Sequence, residues 1–399
     1  MRILAAGDIH LGRIPRHGTN GRESWQLVVD KAVELGVDVL LLAGDVIEHE
    51  RAWFSVYGPL VDGLRRLAEA GIRVIAVAGN HDWDVFARLT AEAEQITILG
   101  RGGTWESCDV QRVRFVGWSF ARSHHEQNPF DTFPTELVGS SLAIGVLHTD
   151  FGASASRYAP TTARDFSASG IELWVLGHIH AGGPVADGRA FYCGSPYALD
   201  SGEGGSHGVW LIEEESPVRW KEPHFIPLSP VRYEEVTVSV TGLEEIEAVR
   251  SLLRKNVRAV ADGLTFSGNL YLTIRFVGSL AIALSLAEVM GTGEEEASFP
   301  AKDGITCTVQ RSFIDQTNPA IDLDQLQGGS GADSQLARLL TDEQLLIDLY
   351  RQFEEESYNT TVYSSLAQEQ VDDAEALARS RRAALSLLEA MVEQKRGGV

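Results

Sequence analysis

VLGHIHAGG, residues 175–183, is an apolar run that ends abruptly in two histidines two residues apart and then in glycines. The same form recurs through the first half of the chain: ILAAGDIH (3–10), VDVLLLAGD (37–45), IRVIAVAGNHD (72–82) and SLAIGVLHTD (141–150). Between these runs lie helical patterns, such as Trp25, Val28, Val29, Ala32 and Val33, whose spacing of three and four puts them on one face. Continuous Val, Ile and Leu runs alternating with amphipathic helices predict strands buried on both sides, hence an α/β sandwich. RAFYCG (189–194) and HGVWLIE (207–213) supply two further strands and close a first domain over residues 1–225.

A Pro-punctuated stretch, EPHFIPLSP (222–230), marks the boundary. Beyond it the texture changes to alternating runs, VRYEEVTVSV, NLYLTIRFVG and ITCTVQRSF, around one long helical segment. They predict a small α+β domain over residues 226–313. DQTNPAIDLDQLQGGSGAD has the Gly, Ser and Asp content of a linker, placed at 314–332, with a short apolar hook. Residues 333–399 read as helical, with Ala374, Leu377, Ala378, Leu385, Leu388, Met391 and Val392 in one stripe. There is no internal repeat.

Bulk composition narrows the class. A chain of 399 residues with 44% hydrophobic content can build more than one core. Cys108, Cys193 and Cys307 are odd in number and form no CxxC pair, which argues against a disulfide framework or a cysteine zinc site and for the cytoplasm. No apolar run approaches membrane-spanning length, and the early Asp8 and His10 leave no room for a cleaved signal peptide. A formal charge of -22 is unfavourable for an extended surface that grips a phosphate backbone.

The polar residues that terminate the strands carry the chemistry: Asp8, His10, Asp45, Asn80, His81, His148, His178 and His180. All fall at carboxyl ends of strands, where open α/β sheets build their sites. A single such histidine is ordinary; two carboxylates, an amide and five histidines in the same topological position are a site. Imidazole mixed with carboxylate and amide oxygen suits Mn²⁺, Fe²⁺ or Zn²⁺ better than Mg²⁺. Seven ligands exceed the needs of one ion, so two divalent ions sharing Asp45 are expected, with His178 and His180 divided between them. A pair of ions can ready a water for in-line attack and clamp the oxygens of a phosphoryl group, which predicts metal-assisted phosphoester hydrolysis.

GDIH, the GD at Gly44 and Asp45, GNHD at 79–82, the lone His148 and GHIH together resemble the five-part signature of the calcineurin-like metallophosphoesterases. That resemblance implies a four-layer α/β/β/α sandwich. It also implies that Asp8, His10 and His180 hold one ion, that Asn80, His148 and His178 hold the other, and that Asp45 bridges them. His81 would be catalytic, stabilising the transition state or protonating the leaving oxygen. Asp82 either orients a neighbouring group or caps a helix.

The opening GDIHLG, the CGSP at 193–196 and the order of the later domains are similar to the Mre11/SbcD nucleases, closest to their YhaO-like bacterial branch. The similarity implies a Mn²⁺-dependent DNA exonuclease or endonuclease, with the second domain capping the nuclease and contacting DNA. It further implies C-terminal helices docked on a Rad50/SbcC-like, SMC-type ATPase, and a homodimer. The overfull helical face of Trp53, Phe54, Val56, Tyr57, Leu60, Val61, Leu64 and Leu67 would make the dimer contact. Arg13, Arg16, His17 and Ser195 are the expected substrate contacts, with Arg22, Arg122, His124 and His125 also available for phosphate. The chain departs from the family pattern at Glu48, where an Asp or His is usual. Two rivals remain: a phosphatase or nucleotide phosphodiesterase of the same fold, and a non-catalytic DNA-end-binding scaffold.

Overall fold

The computed structural model describes residues 1–14, 21–49, 53–91, 93, 95–139, 142–153, 155–217, 219–281, 284–291, 297–302, 304–358 and 371–397. The chain divides into two compact units, Met1–Glu234 with Phe266–Tyr271, and Glu235–Thr265 with Leu272–Val399.

In the first unit, strands β1 (Arg2–Ala6), β2 (Val39–Ala43), β3 (Arg73–Val77) and β4 (Ile96–Ile98) run parallel in chain order. A second sheet has the order β5-β6-β7-β8-β10-β9, built from β5 (Trp105–Val110), β6 (Val113–Trp118), β7 (Leu142–His148), β8 (Leu173–Gly177), β9 (Gly183–Val185) and β10 (Ala190–Tyr192). Within it β6, β7, β8 and β10 are parallel. The first sheet is completed by β11 (Gly208–Ser216), antiparallel to β1, with β12 (Arg219–Trp220) and β13 (His224–Pro227) paired to β11.

Side chains alternate across each strand, and every side is covered. Ile3, Val39, Leu41, Ile75 and Val77 meet Phe115, Ile144, Val146, Val175 and Phe191 between the sheets. The opposite side of the first sheet, Leu4, Leu40, Leu42, Val74 and Ala76, packs on α1 (Gly21–Leu35), α2 (Trp53–Glu69) and the short α3 (Val85–Leu89) through Trp25, Val28, Leu60, Leu64 and Phe86. Val116, Leu147, Trp174 and Leu176 line the far side of the second sheet, against Phe166 of α4 (Ala163–Ala168). The layers are therefore helix, sheet, sheet, helix, as the continuous apolar runs require: each large apolar side chain so buried contributes about 1.5–3 kcal/mol. Val33, at the edge of the α1 stripe, is exposed.

A further sheet has the order β14-β15-β17-β16, from β14 (Val231–Ser239), β15 (Gly268–Leu280), β16 (Ala297–Lys302) and β17 (Ile305–Pro319). The second unit adds α5 (Ile246–Gly263), α6 (Leu286–Met290), α7 (Leu323–Gln327), α8 (Ala332–Leu339), α9 (Glu343–Tyr358) and α10 (Asp373–Gly397). β17 continues past residue 313 to Pro319, because a polar, Thr-containing segment can extend a ladder without a core of its own. On α10 the buried positions are Ala376, Leu385 and Leu388, while Ala374 and Ala378, expected in the apolar stripe, are exposed. The face is set by what it meets, namely Ala337 of α8, Leu340 just beyond that helix and Leu346 of α9. Cys108, Cys193 and Cys307 are free thiols. Among the described residues no helix is long and apolar enough to cross a membrane.

Candidate metal centre

The strand ends place the polar residues. Asp8 and His10 follow β1, Asp45 follows β2, Asn80 and His81 follow β3, His148 is the last residue of β7, and His178 and His180 follow β8. The two sheets thus contribute ligand-type groups from five parallel strands. Backbone bonds hold the first two loops together: Asp8 N–H donates to Gly44 O at 3.1 Å and His10 N–H to Asp45 O at 3.0 Å. Asp8 in turn receives the His178 N–H at 3.0 Å, which joins the two sheets at the site.

Asp8, His10 and Asp45 lie at φ near +50° and His178 at +104°, left-handed conformations that side chains other than glycine seldom adopt. Such turns fold the side chains back over the strand ends, and strain of this kind concentrates where function requires it. Two motif glycines make room. A Cβ on Gly177 would stand 2.1 Å from Ala43 O and 2.9 Å from His148 Nδ1, and one on Gly79 would stand 2.1 Å from Asp45 Oδ1.

Three clusters result: Asp8, His10 and His180 offer ligand atoms within 4.8 Å of one another, as do Asp8, Asp45 and His148, and also His10, Glu48 and His81. In the first, Nε2 of His10 is 3.1 Å from Nε2 of His180. Nδ1 of His180 is 2.6 Å from Glu203 Oε1, and Nδ1 of His10 is 2.7 Å from Glu48 Oε2, the latter pair close but poorly aligned for a hydrogen bond and without other partners. Carboxylates draw the ring protons to Nδ1, leaving two Nε2 lone pairs aimed at the same point. In the second cluster His148 Nδ1 faces Ala43 O at 2.9 Å, so its Nε2 faces Asn80 Oδ1 at 3.0 Å and Asp45 Oδ2 at 3.3 Å. His178 packs its ring on that of His148, with centroids 5.2 Å apart. The mixture of imidazole, carboxylate and amide groups that converges here fits divalent first-row ions.

Electrostatics agree. Burial opposes the charged form of His148, yet the carboxylates of Asp45 and Asp8 outweigh it and lift its pKa to about 9. Burial likewise opposes ionisation of Asp45, but His148 beside it dominates and holds the carboxyl below its usual range. Partial burial and the neighbouring charge of His148 push His178 down to about 3. The cage attracts positive charge while keeping His178 neutral, a state in which an imidazole can serve as a ligand.

His81 is exposed at the mouth; its Nδ1 lies 2.8 Å from Glu48 O and its N–H donates to Asp45 Oδ1 at 2.9 Å. With Nδ1 held by a carbonyl, the other ring nitrogen is the one available to a substrate. Asp82 caps nothing: its carboxylate accepts from Gly79 N at 2.7 Å, Val46 N at 2.8 Å and Ile47 N at 3.3 Å, tying the second and third motif loops together. Arg13 reaches Asp200 at 3.1 Å. Ser195 is buried, and its hydroxyl donates to Glu203 Oε2 at 3.0 Å and contacts His207, so it supports His180 from behind and does not face the opening. Arg16 and His17 lie outside the described residues. Sequence reasoning missed Glu203, an isolated acid among the glycines of SGEGGS; its one signal was that it follows CGSP closely.

Residues 1–182 match the calcineurin-like phosphoesterase family, and the chain carries a calcineurin-like metallophosphoesterase domain. The metallophosphoesterase YhaO of Bacillus subtilis is 27% identical over 60% of this chain and 62% of its own length. The DNA double-strand break repair protein Mre11 of Methanopyrus kandleri is 31% identical over 59% of this chain and 61% of its own. That of Haloferax volcanii is 28% identical over 64% and 58%. The chain thus matches about three-fifths of the length of these relatives.

Proposed function

We propose that the chain is a Mn²⁺-dependent two-metal DNA nuclease, cutting at DNA ends or hairpins as an exonuclease or endonuclease. The observation that carries the phosphodiesterase reading is the convergence of imidazole, carboxylate and amide groups from five strand ends at one edge of the two sheets. In this reading Asp8, His10 and His180 hold one ion, Asn80, His148 and His178 the other, with Asp45 shared. Bound ions of this kind supply Lewis-acid stabilisation of the phosphoryl oxygens and a water ready to attack. Asp8 and Asp45 orient the centre through the backbone bonds of the motif loops. Glu48 and Glu203 hold the imidazoles of His10 and His180. His81, when protonated, donates from Nε2 to the leaving oxygen.

DNA as substrate is supported by the similarity to proteins named for DNA double-strand break repair. On the same basis we propose a Rad50/SbcC-like ATPase as partner, engaged through α8 to α10, in a cytoplasmic complex. Homodimerisation would use α2, where Phe54 is 97% exposed and Tyr57 and Val61 are partly so. A phosphatase or nucleotide phosphodiesterase is the second reading, favoured by one observation: Arg13, the expected phosphate contact nearest the first motif, is ion-paired to Asp200. A non-catalytic end-binding scaffold is the third.

Incubation with Mn²⁺ and end-labelled duplex and hairpin DNA, beside cyclic nucleotides and phosphopeptides, separates these. Wild type should cut DNA fastest, and His81→Asn should lower cutting by about 10²–10⁴-fold with metal and DNA still bound. Faster turnover of the small substrates would favour the second reading, and no cutting with the ATPase present would favour the third.

A further inference from the structure

Beside the metal centre opens a cavity of about 430 Å³ whose aromatic part the hydrolytic chemistry does not use. Asn80 and His81 line it on the side of the metal centre, and its other ring-bearing walls are Trp83, His124 and Tyr158, beside His49. Its size falls within the range of small-molecule sites, roughly 300–1,000 Å³. Trp83 is 39% exposed although it follows directly on the GNHD motif. His124 and Tyr158 stack on each other, ring centroids 5.6 Å apart and planes 29° apart. Tyr158 also packs on the ring of His178 at 4.8 Å, so the aromatic wall is continuous with the ligand set.

The charge of the cavity is wrong for a phosphate. Among the described residues no lysine or arginine lines it; its ionisable groups are the carboxylates of Glu48 and Asp84, the imidazoles of His49, His81 and His124, and the phenol of Tyr158. Flat aromatic surface with carboxylate and hydroxyl acceptors at the edge, the latter from Ser123, suits an uncharged planar ring bearing N–H groups. Bases stack on such platforms without strong sequence preference, each contact contributing about 1–3 kcal/mol as judged by alanine substitution.

We propose that this cavity is a nucleobase subsite, in which Trp83 and the His124–Tyr158 pair hold the unstacked base of the nucleotide adjoining the phosphoryl group at the metal centre. It rests on the reading of that centre as a phosphoryl site and deepens it: the substrate would be a strand with a base free to leave its stack. The acidic surface then matters less, because grip comes from stacking beside the metal centre and not from an extended basic track.

Calorimetry on the Mn²⁺-loaded full chain tests this without requiring catalysis. Adenosine 5′-monophosphate and ribose 5-phosphate carry the same phosphate and differ by the base. Wild type should bind the nucleotide about tenfold more tightly. Trp83→Ala and His124→Ala should reduce that ratio towards one, and Trp83→Phe, which keeps a stacking ring, should restore most of it. A ratio near one in wild type, or a ratio unmoved by both alanine variants, overturns the proposal. A phosphorylated trinucleotide should bind at least as well as the mononucleotide; its exclusion would reassign the cavity to free nucleotides and also overturn the proposal. Because the readout is binding, a chain that cut no DNA would refute the nuclease reading while leaving the base preference to be found or not.

Discussion

Nε2 of His10 and Nε2 of His180 face each other at 3.1 Å, while Glu48 and Glu203 stand behind the two rings. His178, two residues before His180, lies instead against His148. In the proposed division one strand end would serve both ions. Replacing His178 or His180 by Ala should each remove a different ion. In Mn²⁺-equilibrated protein, metal analysis should find half loading in either single variant. The His10→Ala, His180→Ala double variant should lose no more than the single, and the His178→Ala, His180→Ala double variant should lose nearly all. Equal loss in both double variants would refute the division.

Glu203 accepts from three neighbours, including Leu199 N–H at 2.9 Å. Its charge, more than its shape, should matter to the metal, because a carboxylate behind a ligating imidazole raises the donor strength of the ring. Glu203→Gln keeps the side chain's size and an acceptor for His180. Metal affinity at the His180 site should fall about 10–100-fold, with little change at the His148 site. Competitive titration with a chromophoric chelator reads both; an unchanged tight site would show that the contact is only structural.

The second site should be sensitive to pH. In the metal-free chain burial alone would lower the pKa of His148, but Asp45 and Asp8 raise it from 6.5 to about 9. A raised histidine stabilises the fold fully below its unfolded value, and this contribution is lost as pH rises through about 9. At neutral pH the ring holds a proton that a metal ion must displace. Mn²⁺ affinity at this site should therefore climb with pH, by about one decade per unit, until the folded value is passed. Calorimetry at pH 7.5 in two buffers of different ionisation enthalpy should register about one proton released on binding; heats independent of buffer would contradict the assignment.

The convergence of the strand-end residues was legible in the sequence because its signal is local. Each residue closes an apolar run, and strand ends in a parallel sheet share one edge, so Asp8, Asp45, Asn80, His148 and His178 could be grouped before any coordinates. The layers followed from the same runs, since Leu40, Leu41 and Leu42 cannot all be buried by one neighbour. The supports were not legible. Glu203 reaches His180 across 23 residues from an irregular loop, and Tyr158 meets His178 from another. Neither has a period or a motif, and loop acids and aromatics are common. Glu48 was visible only as a departure from a pattern, and its contact with His10 shows a longer acid filling that place. Ser195, an expected substrate contact from its motif, is instead turned inward on Glu203, a direction that a Gly-Ser-Pro turn does not specify.

Asp82 gives the sharpest test of how the centre is held. Burial and the nearby charge of Asp45 push its pKa up to about 7, even though backbone amides of Gly79 and Ile47 pull it down. A cation held at Asp45 would remove the repulsion, so the loops and the metal should stabilise each other. Asp82→Ala leaves three buried N–H groups, those of Gly79, Val46 and Ile47, without their partner. Each such loss costs about 1–3 kcal/mol, enough to lower the melting temperature by several degrees. Because Asp45 and Asn80 sit on the two loops that Asp82 joins, metal affinity should fall along with stability, and added Mn²⁺ should raise the variant's melting temperature less than that of wild type. A variant that melts earlier but binds Mn²⁺ as wild type does would show that Asp82 supports only the fold, and that the centre is positioned without it.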